Sequence, residues 1–118
     1  MSRNKKKLVF LSGTRADFGK LKSLINICNA SKLFDVHIFV TGYTVDEIRK
    51  EGYKNISTFK NYTSSSRMDI ILSNTIKGFS EYICNLKPDL IVVHGDRVEA
   101  LAGAISGSLN NFLVSHIE

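Results

Sequence analysis

Short apolar runs alternate along the chain with longer segments in which apolar residues recur every three or four positions. Leu8 to Leu11 is an unbroken apolar run closed by Ser12-Gly13, the pattern of a strand covered on both faces and ended by a turn. Leu21, Leu24, Ile25 and Cys28 then fall at i, i+3, i+4 and i+7, which predicts a helix from near Gly19 to near Ser31 with these residues on its core face. Val36 to Val40 repeats the buried-strand pattern, and Thr41-Gly42 closes it.

Thr44 and Glu47 have the spacing of a capping box, and Gly52 supplies a left-handed stop to the short helix between them. A short strand near Asn55 to Thr58 and a polar loop holding Ser64, Ser65 and Ser66 lead to a longer helix, whose core stripe is Leu72, Ile76, Phe79, Ile83 and Leu86. Pro88 ends it, because the residue before a proline resists the helical region. Leu90 to Val93 is another buried strand. Ala100 to Leu109 is rich in Ala, Gly and Ser, a composition that lets a helix lie close against a sheet, and Phe112 to Ile117 is the last strand. Strand and helix alternate throughout, so the expected fold is α/β, a parallel sheet flanked by helices with right-handed crossovers. No repeat, long linker or low-complexity segment interrupts it, and residues 1–118 are read as one domain.

Composition adds little to this picture. The 118 residues, 43% of them hydrophobic, suffice for one modest core. Lys and Arg number 16 against 11 Asp and Glu, a formal net charge of +5, but Arg3, Lys5, Lys6 and Lys7 concentrate it ahead of the first strand as a solvated flank. With no basic stripe carrying interleaved aromatics, nucleic acid is not an expected partner. Cys28 and Cys84 occupy apolar positions of helical segments and are expected to be buried free thiols. Neither has metal-ligand spacing, so no metal is expected. No apolar stretch has the form of a signal peptide or a membrane span, which fits a cytoplasmic protein without a membrane partner.

In an open parallel sheet, ligands bind beyond the carboxyl ends of the strands. Three such ends carry reactive groups here: Gly13-Thr14-Arg15-Ala16-Asp17, His94-Gly95-Asp96-Arg97, and His116-Ile117-Glu118. The first is not a P-loop, because five residues separate Gly13 from Gly19-Lys20 and Leu21 stands where a magnesium-binding hydroxyl is needed. A Rossmann G-x-G-x-x-G is also missing after the first strand. What remains is a substrate-binding turn of Gly13, Thr14 and Gly19 leading to a helix N-terminus, whose free amides favour a phosphate, with Arg15 adding donors. The competing assignment for Arg15 is a surface arginine in a tight turn. Strand alternation points His116 and Glu118 to one side, so two carboxylates, Asp96 and Glu118, and two histidines, His94 and His116, are expected to share one crevice. Arg97 beside Asp96 should favour its ionised form. Such a set is equipped for acid/base chemistry, with the histidines either catalytic or orienting other groups.

Together these segments resemble the hydrolysing UDP-N-acetylglucosamine 2-epimerases of sialic-acid and legionaminic-acid synthesis. The matching stretches are SGTRADFGKLKSL at Ser12 to Leu24, LKPDLIVVHGDRVEALAGAISGSLNN at Leu86 to Asn111, and LVSHIE at Leu113 to Glu118. Arg97, where the non-hydrolysing enzymes look to carry Thr, points to the hydrolysing branch, and Tyr43 to Pro88 is similar to the bacterial enzymes acting on UDP-diacetylbacillosamine or UDP-N-acetylglucosamine. The resemblance implies two Rossmann-like domains of the glycosyltransferase-B type, of which this chain carries an incomplete N-terminal half, in a cytoplasmic homo-oligomer that needs no cofactor. It implies elimination of UDP with loss of the C2 proton, then hydration of the glycal with inversion at C2. It assigns Asp96 and Glu118 to catalysis and sets Arg15 and Arg97 near the diphosphate of a UDP-sugar.

Two departures from the family pattern stand out. Family members continue past His116-Ile117-Glu118 into a second domain, and between Gly42 and Tyr43 they carry a short segment with a His-Leu pair that is missing here. The isolated chain is therefore expected to be inactive. A non-catalytic nucleotide-sugar-binding or interaction module and a glycosyltransferase half-domain are the alternatives, and the carboxylates after the strands favour the epimerase.

Overall fold

Each apolar run becomes a strand and each striped segment a helix. The computed structural model describes residues 5–41, 45–61 and 67–117, apart from the side chains of residues 15, 16, 45 and 47. Five strands, β1 (Lys6–Ser12), β2 (Phe34–Thr41), β3 (Ile56–Phe59), β4 (Leu90–His94) and β5 (Val114–Ile117), alternate with helices α1 (Arg15–Ala30), α2 (Val45–Lys50), α3 (Met68–Leu86) and α4 (Val98–Leu109). The sheet is parallel in the order β3-β2-β1-β4-β5. This is a Rossmann-like architecture.

Strand alternation divides the core into two layers. Leu8 and Phe10 of β1, with Val36, Ile38 and Val40 of β2, face Phe18, Leu21, Ile25 and Cys28 of α1 and Ile48 of α2. Val9, Leu11, Phe39, Ile91 and Val93 face the other way, onto Phe79 and Ile83 of α3 and Ala100 of α4. Both faces are thus covered, as the predominantly apolar runs require. The small residues of α4 do bring it close to the sheet. A Cβ on Gly103 would lie 2.6 Å from Val93 Cγ1, and one on Gly107 would lie 2.5 Å from Val114 Cγ2.

Several expectations need correction. Helix α1 begins at Arg15, a turn before Gly19, because Thr14 is extended and its side chain accepts from the Asp17 amide at 3.0 Å, capping the helix there. The earlier start adds Phe18 to the core face, and Leu24 is turned outward at 37% exposure. Cys28 is buried as expected but Cys84 is exposed, since the α3 face that packs inward is the Thr75, Phe79 and Ile83 stripe. Lys87 takes a left-handed conformation, φ 55°, and its amide closes α3 on the Ile83 carbonyl just before Pro88. Strand β5 starts two residues later than expected, after Phe112 has donated its amide to the Gly107 carbonyl. The helix over Val45–Lys50 is followed by Gly52 at φ 82°, whereas Thr44 of the expected capping box, Gly42, Tyr43 and Ser64 to Ser66 lie outside the described residues.

Candidate functional site

Strand order reverses between β1 and β4. From β1 the chain runs outward through β2 to β3, then returns to the other side of β1 for β4 and β5. The crevice beyond such a reversal is where open α/β sheets accept ligands. Here it is bordered by the turn after β1, with Gly13 and Thr14, and by the turn after β4, with Gly95, Asp96 and Arg97. Arg15 opens α1 at the same edge, and Glu118 lies outside the described residues.

The two turns are tied together beneath the surface. Asp17, in the first turn of α1, places Oδ1 3.3 Å from Nδ1 of His94, the last residue of β4, and both side chains are almost fully buried. An ionised carboxylate only accepts, so Nδ1 carries the proton of this bond. Gly95 follows with φ 81°, a left-handed conformation that favours glycine, and brings Asp96 out to the surface. The Gly95 amide donates to the Ile117 carbonyl at 2.9 Å, and His116 Nε2 donates to the Gly95 carbonyl, so β5 holds the turn from its other side.

A cleft of about 330 Å³ opens beside this turn, lined by Gly95, Asp96, Arg97, Ala100, Leu101, Ala104 and His116. It brings together three of the expected site residues, Asp96, Arg97 and His116. His94 is not with them. His94 follows Val92 on the α1 side of the sheet, whereas His116 pairs in register with Val93, which faces α4. The two histidines therefore flank the sheet instead of sharing one crevice. Gly19 is also apart, exposed in the second turn of α1 with nothing within 4 Å of a built Cβ. Arg97 caps α4 without a side-chain cap bond, and its Nε lies 3.4 Å from Oε1 of Glu99 and not beside Asp96. Among the described residues no cluster of three or more His, Cys, Asp or Glu side chains could hold a metal ion, and no helix is long and apolar enough to cross a membrane.

Three polar residues at this edge, Asp17, Asn61 and Glu99, have partners that the sequence patterns do not assign. Asp17 anchors His94. Glu99 is buried in the first turn of α4, where its Oε2 accepts from Asn61 Nδ2 at 3.3 Å, and Asn61 also donates to Thr75 Oγ1 at 2.9 Å. A signal for Glu99 exists: it shares the stripe of Ala102, Gly103 and Ser106, all buried, so a carboxylate stands on the sheet-facing side of α4. Thr14 and Asp17, three apart, likewise have the spacing of a helix cap.

A sequence model described as UDP-N-acetylglucosamine 2-epimerase matches residues 26–118. The UDP-N-acetylglucosamine 2-epimerase of Neisseria meningitidis serogroup B is 39% identical over 96% of this chain and 32% of its own length. The UDP-N,N'-diacetylbacillosamine 2-epimerase (hydrolyzing) of Legionella pneumophila is 29% identical over 95% of this chain and 33% of its own. Among solved structures, the Methanocaldococcus jannaschii UDP-GlcNAc 2-epimerase in complex with UDP-GlcNAc and UDP superposes with a TM-score of 0.83 at 26% identity, over 95% of this chain and 32% of that one. A Neisseria meningitidis UDP-GlcNAc 2-epimerase bound to UDP-GlcNAc gives 0.87 at 21% identity, over 95% and 31%, which speaks for the fold. The chain spans about a third of the length of these relatives.

Proposed function

This chain belongs to the UDP-N-acetylglucosamine 2-epimerase family, and from that membership we propose that its protein is a hydrolysing epimerase acting on UDP-N-acetylglucosamine or UDP-diacetylbacillosamine. The observation that carries the proposal is the meeting of the Gly13-Thr14 and Gly95-Asp96-Arg97 turns at the β1/β4 reversal, with an exposed carboxylate beside an open cleft. The diphosphate lies near the start of α1, toward Arg15 and Arg97, where free amides and guanidinium groups supply donors. Glu118 takes the C2 proton as the C1–O bond breaks and UDP leaves. Water then adds at C1 of the resulting glycal while Asp96 orients or protonates C2 from the face that inverts it, releasing the free epimerised sugar. Arg97 after Gly-Asp and the hydrolysing Legionella relative support the hydrolytic outcome.

The 118-residue polypeptide by itself, in this proposal, does not turn over substrate and binds UDP weakly. Ligand sites ordinarily cover most of a ligand's surface, and the cleft described here is one open wall. The test is a chimera in which these residues replace the matching third of the Neisseria meningitidis relative, incubated with each UDP-sugar in deuterium oxide. Release of UDP together with a free sugar deuterated at C2 is the expected outcome, lost on Asp96→Asn. Formation of an intact epimerised UDP-sugar would overturn the hydrolytic assignment, and unchanged turnover by Asp96→Asn would remove Asp96 from the chemistry.

A further inference from the structure

We propose that Glu99 is a positioning residue that holds the Arg97 guanidinium by its Nε edge so that the terminal nitrogens face the cleft. This role rests on the assignment of Arg97 to the nucleotide diphosphate made above. Glu99 is the buried carboxylate of α4, with its side chain 9% exposed, whereas the Arg97 side chain is 51% exposed. Its location is over-determined from three directions. Asn61, itself buried and bonded to Thr75 of α3, donates to Oε2. Asn74 of α3 donates to the Asn61 carbonyl at 3.1 Å, which fixes the backbone from which that amide reaches. Gly13, at the end of β1, lies directly beneath, since a Cβ there would stand 2.5 Å from both Cγ and Cδ of Glu99. The carboxylate thus fills space that only a glycine leaves open, and its remaining oxygen, Oε1, meets Arg97 Nε at 3.4 Å.

Burying a carboxylate is costly unless charge and hydrogen bonds answer it, so a fold carrying one at this edge has a use for its charge or its shape. Arg97 supplies the charge. Among the described residues this is the guanidinium's one bond, and the residue also lines the cleft with Asp96 and His116. A guanidinium has five donors in a rigid fork. Anchoring the Nε edge leaves the end-on pair of nitrogens available, which is the geometry that recognises phosphate oxygens. Without Glu99 the same cation remains but samples many rotamers, and the ordering cost falls on ligand binding.

Nitrogen-15 NMR of the 118-residue chain, titrated with UDP, tests this. In the ligand-free wild type the Arg97 Nε–H signal is expected to be slowed in exchange, and in Glu99→Gln it is lost to solvent exchange while the backbone spectrum is kept. Apparent UDP affinity should fall about three- to tenfold in Glu99→Gln, the scale of one ordinary hydrogen bond, because the phosphate contact itself remains and only its ordering is lost. Arg97→Lys, which keeps the cation but has no Nε–H, should lose a similar factor, and the double variant should lose little more. A purely structural Glu99 would leave the two losses additive. If loss of the buried charge prevents folding, Arg97→Lys carries the test, and wild-type affinity in that variant overturns the role. A responsive wild type beside an equally responsive Glu99→Gln overturns the positioning role alone. A wild type whose Arg97 signal ignores millimolar UDP overturns the nucleotide assignment, and the role falls with it.

Discussion

Asp17 Oδ1 lies 3.3 Å from His94 Nδ1, joining the first turn of α1 to the last residue of β4 across the point where strand order reverses. The pair spans 77 positions of sequence and is almost fully buried, so it acts as a clamp beneath the two turns that border the candidate site. Asp17→Ala leaves a buried imidazole N–H without its acceptor and is expected to cost about 1–3 kcal/mol. Asp17→Asn retains an acceptor oxygen and should cost less. Thermal and urea unfolding of both variants measure this, and equal stability of Asp17→Ala and wild type would contradict the clamp.

Gly13→Ala should destabilise through a different contact. Its new Cβ would meet Glu99 Cγ and Cδ at 2.5 Å, and Glu99 is held by Asn61 and Arg97, so the overlap is relieved only by breaking those bonds or moving the turn. Overpacking of this kind costs about 1–3 kcal/mol. In a Glu99→Ala background the obstacle is gone, and Gly13→Ala should then cost markedly less. Additive losses in the double-mutant cycle would show that the two residues do not meet.

Two glycines within helices should respond to alanine with opposite sign. Gly19 of α1 is exposed with nothing within 4 Å of a built Cβ, so Gly19→Ala gains helix propensity freely, about 0.5–1 kcal/mol. Gly103 of α4 faces Val93 Cγ1 at 2.6 Å and Leu11 Cδ2 at 2.8 Å, and the same gain is offset by about 1–3 kcal/mol of overpacking. Unfolding midpoints that move the same way for both variants would contradict the close approach of α4 to the sheet.

The two thiols should differ in reactivity. Burial pushes the Cys28 thiol above its ordinary value of 9.0, which lowers the reactive thiolate, whereas Cys84 is exposed. An aromatic disulfide reagent at pH 8 is expected to modify one thiol rapidly and the second only as the chain unfolds. Rapid modification of both thiols in the folded chain, or of the remaining thiol in folded Cys84→Ser, would show a different arrangement.

Alkaline pH should weaken the fold. Burial is the leading cause that raises Cys28 above 9.0 and Tyr82 above 10.0, with a Ser57 hydrogen bond partly opposing it at Tyr82. Each group therefore loses its proton more readily when unfolded. Their contribution is fully present below these ordinary values and is lost as pH rises through the higher folded ones. Urea midpoints at pH 8 and pH 10.5 compare the two conditions, and Tyr82→Phe should reduce the difference.

Much of the architecture was legible in the chain because it rests on local periodicity. The runs Leu8 to Leu11, Val36 to Val40 and Leu90 to Val93 each became a central strand, since strands covered on both faces are predominantly apolar, with His37 of the second run only half-buried and bonded to Asp35. The small residues of α4 also packed as their composition requires, whereas of the expected α3 stripe only Phe79 and Ile83 are buried in the core, with Leu86 against it and Thr75 in place of Leu72 and Ile76. That the turns after β1 and β4 share one edge of the sheet followed from the alternation of strand and helix, which makes the strands parallel.

The sequence by itself thus determined the kind of elements, their order, and the turns that carry Gly13, Arg15, Asp96 and Arg97. Only the tertiary structure decided which of those groups meet. His94 and His116 look alike in the sequence, yet one is buried against Asp17 on the α1 side and the other lines a cleft beside α4, because their strands are entered one register step apart. Glu99 and Asn61, 38 positions apart, form a buried pair that neither local pattern announces. The physical reason is that periodicity reports what a residue faces, core or solvent, while the identity of its partner depends on strand order and register, which are settled by packing the whole sheet at once.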